Sequence, residues 1–368
     1  MTENDFLGFD PQSLSAFNPS EQSKSQGNSL IYRTRPADSI SEDKHYRSTI
    51  KVVYNVFAPK NSIIEQQSYA MQDENGWFVV VSSLTNNDTS CPIFKAWKKC
   101  HYAEKGSTLW KQAAKTEEGG NALFDKRYAR YVVIQVLEDK NQPNLVGKYM
   151  FWKMPRSVYD VINNKMNPSK ESGKASIPVM DFLFGRSIDL EVVPGPGNPG
   201  DERYARETKY QCELSEDPVS CINPDGSPLL NSTEQEVLDM YIFKMSKVWK
   251  EKNPETRAEM KAAVDSDPNT VELRKIYNEK VIPQIKSVCP NLVEHMGYKE
   301  WTPEITARVE KWINTVLAGN NPAIQTVVEA EVVNNVGTAS SATVETAPVA
   351  ETNEPMFNTS NSDDDLPF

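Results

Sequence analysis

The spacing of apolar residues changes once along this chain, and this change constrains the fold more than any other feature of the sequence. Between residues 44 and 193, β-branched and aromatic residues form short runs separated by Asn, Gly, Asp and Pro, a pattern typical of strands. Between residues 231 and 318, apolar residues recur every three or four positions, as they do on amphipathic helices. We therefore expect a mainly β region followed by a helical one.

Five runs in the first region have the composition of strands. They span residues 49–57, 76–81, 128–137, 148–154 and 187–193. Two further stretches, 92–115 and 156–165, have helical spacing and would interrupt the strands. Five strands with helical insertions predict a small β barrel, an architecture that often binds nucleic acid.

Capping residues mark two helix boundaries in the second region. Thr233 with Glu236 is a candidate capping box at the start of the first helix. Thr302 and Pro303 open the last helix, which we expect to stop at Gly319. The apolar stripe of this last helix comprises Ile305, Val309, Trp312 and Val316.

Charge is distributed unevenly along the chain. The formal net charge is −11, and the segment from residue 319 to the end has eight acidic residues and no Lys or Arg. Residues 44–156 hold 17 Lys and Arg against 10 Asp and Glu, which leaves this part with more positive than negative charge. Positive charge concentrated in one part of an acidic protein is typical of a phosphate-binding surface.

The two ends of the chain lack apolar periodicity and are of low complexity. We predict a flexible N-terminal arm over 1–43, a β domain over 44–215, a helical subdomain over 231–318 and a disordered acidic tail over 319–368. No run approaches the roughly 18 apolar residues of a membrane span, so we expect a cytoplasmic protein that does not bind membranes.

Cations and aromatic residues alternate in the stretch between the second and third strands and along the third and fourth strands. The phosphates of single-stranded DNA attract Lys and Arg, and its unpaired bases stack on flat rings at roughly 1–3 kcal/mol per base. A groove that offers both binds the strand whatever its sequence. The candidate nucleic-acid-binding residues are Trp97, Lys98, Lys99, Tyr102, Trp110, Lys111, Lys126, Arg127, Tyr128, Arg130, Tyr131, Tyr149, Phe151, Trp152, Lys153 and Arg156.

The C-terminal end carries a second candidate binding motif. Its residues are Asp363, Asp364, Asp365, Leu366, Pro367 and Phe368. A terminal Phe with a free carboxylate fits an apolar pocket edged by a basic residue, and the preceding aspartates steer it there. This hexapeptide resembles the C-terminal tip of bacterial single-stranded-DNA-binding proteins, which implies that it recruits replication and recombination proteins.

Residues from about 41 to 210 resemble the single-stranded-DNA-binding proteins of T-even-type bacteriophages. The matching features, in order, are Ser41 to Lys44, Asn75 to Phe78, Ser82 with Ser83, Ser90 to Pro92, the strand at 126–131, the strand at 147–154, Val158 to Asp160, Pro178 with Val179, and Ile188 to Val193. The resemblance implies an OB-fold-like five-stranded barrel. It also implies sequence-independent binding of single-stranded DNA during phage replication, recombination and repair, with self-association on the DNA.

The chain departs from that family at two places. The family's zinc site uses one His and three Cys, and here only Cys91 stands at a ligand position, with Ala70, Val81 and Phe94 at the others. We therefore expect no metal, although a site made from Cys91 with Cys100 and His101 stays open. The family's basic N-terminal cooperativity motif is also missing, with Arg33 and Arg35 as the nearest substitutes.

Other functions were weighed against DNA binding. Residues 195–200, Gly-Pro-Gly-Asn-Pro-Gly, match a nucleotide-binding glycine pattern, but its prolines remove N–H donors. Glu65, Asp73 and Glu74 would be the carboxylates of a nuclease. We expect no enzymatic activity and no cofactor.

A non-enzymatic alternative stays open, namely a phage structural or scaffold-type interaction protein that does not bind DNA. Neighbouring strand residues face opposite sides of a sheet, so rings such as Tyr131 and Trp152 would then point into the core. In that protein the helical region would mediate oligomerisation.

Overall fold

Eight strands form one open sheet in the computed structural model, which describes residues 30–113, 125–198, 203–204 and 207–320. The strands are β1 (Ile31–Tyr32), β2 (Tyr46–Val53), β3 (Ile63–Asp73), β4 (Gly76–Val81), β5 (Asp125–Asp139), β6 (Tyr149–Met154), β7 (Ile188–Val193) and β8 (Lys209–Leu214). The main path runs β1-β6-β5-β2-β7-β8, and the β3–β4 hairpin attaches to β5 beside this path. The predicted closed five-stranded barrel is therefore not observed.

The long strand β5 organises this sheet because it changes neighbour along one edge. Its first half pairs with β3, from Asp125 opposite Ala70 to Val132 opposite Ile63, and its second half pairs with β2. Its other edge pairs with β6. The central residues Val132, Val133 and Ile134 are fully buried, which explains the continuous β-branched run at this point of the sequence.

The described helices follow the period change seen in the sequence. They are α1 (Pro92–His101), α2 (Thr108–Ala113), α3 (Arg156–Met166), α4 (Ser232–Lys250), α5 (Pro254–Asp265), α6 (Pro268–Ile276), α7 (Ile282–Val288), α8 (Leu292–Met296) and α9 (Pro303–Leu317). A π-helical turn, Tyr277–Val281, joins α6 to α7. Short 3-10 turns lie at Pro36–Asp38, Pro59–Asn61, Ser83–Asn86, Pro143–Leu145 and Lys170–Ser172. No described helix is long and apolar enough to cross a membrane.

The helix boundaries at the two ends of this region follow local capping chemistry. Asn231, not Thr233, caps α4, because its side chain accepts from the N–H of Glu234 while the Glu234 carboxylate accepts from the N–H of Asn231. The capping box therefore lies two residues earlier than predicted. Thr302 caps α9 as expected, and Gly319 takes a positive φ just beyond its end.

The helices at 232–317 share hydrophobic cores with the sheet. One core joins Val133 and Phe151 of the strands to Leu238, Ile285 and other helical residues. A second joins the β3–β4 hairpin to α1 and α9, and a third lies between the opposite face of the sheet and α3. Both faces of the central strands are therefore covered.

Helix α9 attaches α1 to the β3–β4 hairpin. The indole N–H of Trp312 donates to the carbonyl of Gln72 (2.7 Å), and Arg308 makes a bidentate ion pair with Asp73 (2.7 and 2.9 Å). Lys311 pairs with Glu74 at the hairpin turn. The apolar side of α9 packs with the buried face of α1, so α1 is held firmly and its other face is directed outwards.

Candidate nucleic-acid interface

The aromatic residues of β6 lie in the core, which corrects the prediction that they bind DNA. Tyr149, Phe151 and Trp152 are only 5%, 1% and 2% exposed. β6 lies between β1 and β5, so the helical core covers Tyr149 and Phe151 on one face and the α3 core covers Trp152 on the other. These rings cannot stack on bases without unpacking the protein.

The cations of β5 and β6 do not gather on one face of the sheet. Residue alternation places Arg127 and Tyr131 on one side, and Lys153 of β6 lies opposite Tyr131 on that same side. Tyr128 and Arg130 point to the other side. The side chain of Lys126 lies outside the described residues. The continuous basic and aromatic groove that the sequence predicted along these strands is therefore divided between two faces.

Arg130 is held inside a local cluster on its face of the sheet. Its guanidinium stacks on the rings of Tyr128 (4.9 Å) and Tyr159 (4.6 Å) and pairs with Glu65 (2.9 Å). Burial and the hydrogen bond to Glu65 raise the pKa of Tyr128. This carboxylate and these rings already satisfy Arg130, so its contribution to phosphate binding is small.

Two further predicted cations lie at the surface. Lys153 is exposed, but its pKa is lowered because neighbouring atoms remove part of its hydration and because the positive charge of Arg127 is close. Arg156, at the start of α3, is exposed and lies 3.9 Å from the carboxylate of Asp160. Both remain accessible to a phosphate, although neither adjoins an exposed ladder of rings.

Helix α1 keeps its aromatic residues together on one side, where Phe94 and Trp97 are partly buried against the core and His101 is exposed. Phe94, Trp97 and His101 stand at positions i, i+3 and i+7, and their rings form a ladder. The ring centroids of Phe94 and Trp97 are 6.2 Å apart, with an interplanar angle of 9°. The ring centroids of Trp97 and His101 are 4.6 Å apart, with an interplanar angle of 15°. Tyr102, which is 72% exposed, meets the edge of His101 at 5.0 Å.

Sequence analysis selected Trp97 and Tyr102 but missed Phe94 and His101. In the sequence, Phe94 stands out only at a position equivalent to a zinc ligand, and His101 only as a possible ligand next to Cys100. The i, i+3, i+7 spacing of Phe94, Trp97 and His101 within a helical stretch was the signal that would have identified them. The ladder is therefore longer than the sequence reasoning proposed.

Lysines flank this ladder, and their carboxylate partners are missing from the part of the chain that the structure describes. Lys98, Lys99, Lys105 and Lys111 are exposed, and none makes an ion pair with any described residue. The ammonium of Lys98 lies 4.6 Å from the centre of the Phe94 ring. Cations elsewhere, such as Arg47, Lys280 and Arg308, are matched with acidic side chains. We call residues 92–113, with these rings and lysines, the α1–α2 surface.

The second helix of this surface adds Trp110, which is partly buried, and the exposed Lys111. It also lies close to the end of the described chain. A Cβ atom placed on Gly319 would be 3.3 Å from the Cγ2 atom of Thr108 at the start of α2. The acidic segment that follows residue 320 therefore begins beside the α1–α2 surface, while the tip at 363–368 lies outside the described residues.

The residues considered for metal binding have other contacts. The thiol of Cys91 is buried and accepts a hydrogen bond from Ser82 (3.1 Å). Cys100 is fully buried while His101 is exposed on the ladder, so the two do not face a common ion. The described residues contain no group of three His, Cys, Asp or Glu side chains that would hold a metal.

The three carboxylates considered for a nuclease site are each occupied by a cation. Glu65 pairs with Arg130, Asp73 with Arg308, and Glu74 with Lys311. Asp73 is the most buried of the three. Burial alone would raise its pKa, but the hydrogen bonds from Arg308 and from the N–H of Asn75 outweigh it and lower the pKa.

No protein-family model matches this chain, and no curated protein matches it significantly.

Proposed function

We propose that this protein binds single-stranded DNA without sequence preference, and that the α1–α2 surface is the main contact. The observation that carries the proposal is the ladder of nearly parallel rings from Phe94 to His101, flanked by exposed lysines that form no ion pair with another described residue. Rings and unpaired cations side by side are the two groups that an unpaired strand needs from a protein.

The binding chemistry follows from the geometry. Bases stack at the two ends of the ladder, where Phe94 and His101 each have a face not covered by Trp97, and on Tyr102, while Lys98, Lys99 and Lys111 contact phosphates. Stacking is tolerant of sequence because every base has a π face. Each neutralised phosphate releases counterions, so affinity falls as salt rises, with a slope of about −0.7 per contact for a single strand.

We further infer that the sheet is related to an OB-type barrel that has opened. The supporting feature is β5, which pairs first with β3 and then with β2 along one edge, as a strongly bent strand does when it joins the two halves of a small barrel. In this proposal the strands are the scaffold, and the helical insertion between β4 and β5 carries the interface.

The acidic C-terminal segment is the second part of the proposal, because it can act on both DNA binding and partner binding. Residues 319–368 start beside α2 and carry eight acidic residues. We propose that they compete with DNA for the α1–α2 surface, and that the tip at 363–368 recruits replication, recombination and repair proteins of a phage. Removal of residues 321–368 is then expected to strengthen DNA binding at low salt and to abolish partner capture.

The test is a titration of the full chain with fluorescent oligo-dT, with and without Mg²⁺. Tyr102→Ala is expected to weaken binding by roughly 1–3 kcal/mol, which is about five- to 150-fold, because one stacking platform is lost. Tyr128→Ala is the matched control, since Tyr128 is also a surface tyrosine, 37% exposed, but lies in the Arg130 cluster. We expect the control to stay within about two-fold of the wild type.

Three outcomes would contradict the proposal. Equal losses in the two tyrosine variants would remove the special role of the α1–α2 surface. Absence of binding at low salt would favour a scaffold-type interaction protein, and Mg²⁺-dependent shortening of the oligonucleotide would favour a nuclease. Competition with oligo-rU shows whether DNA is preferred over RNA, because stacking alone does not sense the 2′-hydroxyl.

A further inference from the structure

Within the described ranges, strand β4 has a sheet neighbour on one edge only. It pairs with β3, from Gly76 opposite Asp73 to Val81 opposite Ser68. The N–H of Ser82 donates to the carbonyl of Gln67 (2.8 Å), and backbone groups alternate in direction along a strand, so Phe78 and Val80 bond to β3. The N–H and C=O groups of Trp77, Val79 and Val81 therefore point away from the sheet.

The outer edge of β4 is almost without hydrogen-bond partners among the described residues. The carbonyl of Val81 accepts from the indole N–H of Trp301 (2.9 Å), which confirms the outward direction. No described residue forms a hydrogen bond with the outward backbone groups of Trp77 or Val79. An edge of this kind is a template for pairing with a further strand.

The other long edge of the sheet carries charged residues, which β4 lacks, although on both edges a side chain donates to a strand carbonyl. β8 carries the charged residues Lys209 and Glu213, and Ser157 of α3 donates to the carbonyl of Tyr210 (3.1 Å). β4 reads Gly-Trp-Phe-Val-Val-Val, with neither charge nor proline. Proteins usually place such residues on edges that must stay unpaired, so the lack of them here indicates an edge that is used.

We propose that β4 is an interaction surface for a second copy of this chain, which adds its own β4 in antiparallel orientation. With Val79 opposite Val79 of the second copy, Trp77 of each copy lies opposite Val81 of the other. Every outward N–H then meets an outward C=O, and one two-fold axis relates the copies. The edge is thus complementary to itself.

Neighbouring side chains allow this pairing once the indole of Trp301 moves off the carbonyl of Val81, which the N–H of Trp77 from the second copy then meets. Phe78 and Val80 stay in the core with α1 and α9 because pairing uses only the outer backbone groups. Asp73 and Glu74 at the hairpin turn are neutralised by Arg308 and Lys311, so the turn brings no uncompensated carboxylate to the second copy. Val79 and Val81 are only partly buried in one chain and would gain cover from the partner strand.

Such a dimer would carry two α1–α2 surfaces on one continuous sheet. The pairing itself does not depend on DNA, but a strand long enough to reach both surfaces would bind with higher apparent affinity than a short one. Self-association and short-strand binding are therefore separable properties.

Sedimentation of the full chain over a range of concentrations tests the proposal. The wild type is expected to dimerise, and Val79→Pro is expected to weaken dimerisation by about ten-fold or more, because proline removes the central N–H donor from both copies. Val79→Lys is a second variant that keeps the backbone donor but adds charge to the edge. Phe243→Lys is the matched control, since Phe243 is 62% exposed on α4, far from the edge in sequence.

The proposal is overturned if the wild type remains monomeric up to the highest concentration, or if both Val79 variants dimerise as tightly as the wild type. Equal weakening by Phe243→Lys would place the interface on α4 instead. Binding to an oligonucleotide that fits one copy is expected to be the same for wild type and Val79→Pro. Loss of dimerisation with unchanged short-strand binding separates this inference from the proposed function.

Discussion

The α1–α2 surface and the β5–β6 strands look alike in sequence and differ in the structure. Both combine lysine or arginine with aromatic residues. In α1, residues three and four apart share one side of the helix, so Phe94, Trp97 and His101 form a single ladder. In the strands, neighbours face opposite sides, so the same mixture is split and most of its rings are buried.

The difference shows that basic and aromatic residues form a binding surface only when the periodicity of the helix or strand places them on the same accessible face. Helix α1 is amphipathic: Ile93, Ala96 and Cys100 lie in the core, and the ladder lies at its margin, with Phe94 and Trp97 partly buried and His101 exposed. β6 is covered on both faces, so its composition serves packing. Four experiments would sharpen or break this comparison, and they follow from the largest expected effect to the smallest.

Replacing one tryptophan from each region tests the comparison most directly. Trp152→Ala is expected to lower the free energy of unfolding by about 3–5 kcal/mol, because it leaves a cavity in the core. Trp97→Ala is expected to cost less, about 1–2 kcal/mol, because Trp97 is only partly buried, and to weaken DNA binding as well. Urea denaturation and oligo-dT titration of both variants measure the two effects, and equal destabilisation would break the distinction.

Charge reversal on the ladder is expected to change binding but not folding. Lys98→Glu combined with Lys99→Glu removes two phosphate contacts, so the salt dependence should decrease by about 1.4 in slope and affinity should fall at least about ten-fold. Lys148→Glu is the control, because Lys148 is exposed just before β6. A comparable loss from the control would mean that attraction is due to overall charge and not to the ladder.

Support of the α1–α2 surface by α9 can be tested at Asp73. Asp73→Asn is expected to reduce the free energy of unfolding at neutral pH by about 1–3 kcal/mol, because the buried bidentate contact to Arg308 is weakened. The folded state lowers the pKa of Asp73, so this stabilisation is present above the ordinary pKa of an aspartate and is lost as pH falls through the lowered one. Urea denaturation from pH 7 to pH 3 should show a constant difference above the ordinary aspartate pKa and the start of convergence below it.

The smallest effect is expected at His295, where the helical region packs against β6. His295 packs against Phe151 with ring centres 5.3 Å apart, and burial, with Lys299 nearby, lowers its pKa despite Glu294. The imidazole of His295 therefore takes up a proton more readily in the unfolded chain than in the folded one. The free energy of unfolding should decline as pH falls from about 7 through the ordinary histidine pKa near 6.5. His295→Leu should reduce the pH dependence of the free energy of unfolding in this range, as measured by urea denaturation. An unchanged pH dependence would mean that another group causes it.

Some elements were predictable from local sequence. The β-branched runs of β4, β5 and β7, the helical spacing of α3 and the Thr302 cap of α9 all appear within a few residues of their predicted bounds, while the helical stretch predicted over 92–115 is divided into α1 and α2. Local propensity, capping and periodicity agree at these places. Where they agree, the structure of a segment can be predicted without knowledge of its tertiary contacts.

Other elements needed the tertiary structure. β3 contains the polar run Glu65, Gln66, Gln67 and Ser68 and was not predicted as a strand. It is a strand because β4 and β5 pair with its two edges, and because the side chain of Gln66 donates to the carbonyl of Met296 (3.0 Å). β8 is likewise held by β7, and the extra strands leave the sheet open.

The sequence by itself determined the order of β and helical regions, the uneven charge and the chemical types available for binding, because these depend on residue identity and local spacing. Only the tertiary structure decided which rings face solvent and which cations remain unpaired. Exposure depends on what packs against each face, and those neighbours come from distant parts of the chain. The same alternation of charge and ring therefore became core in β6 and an open surface in α1.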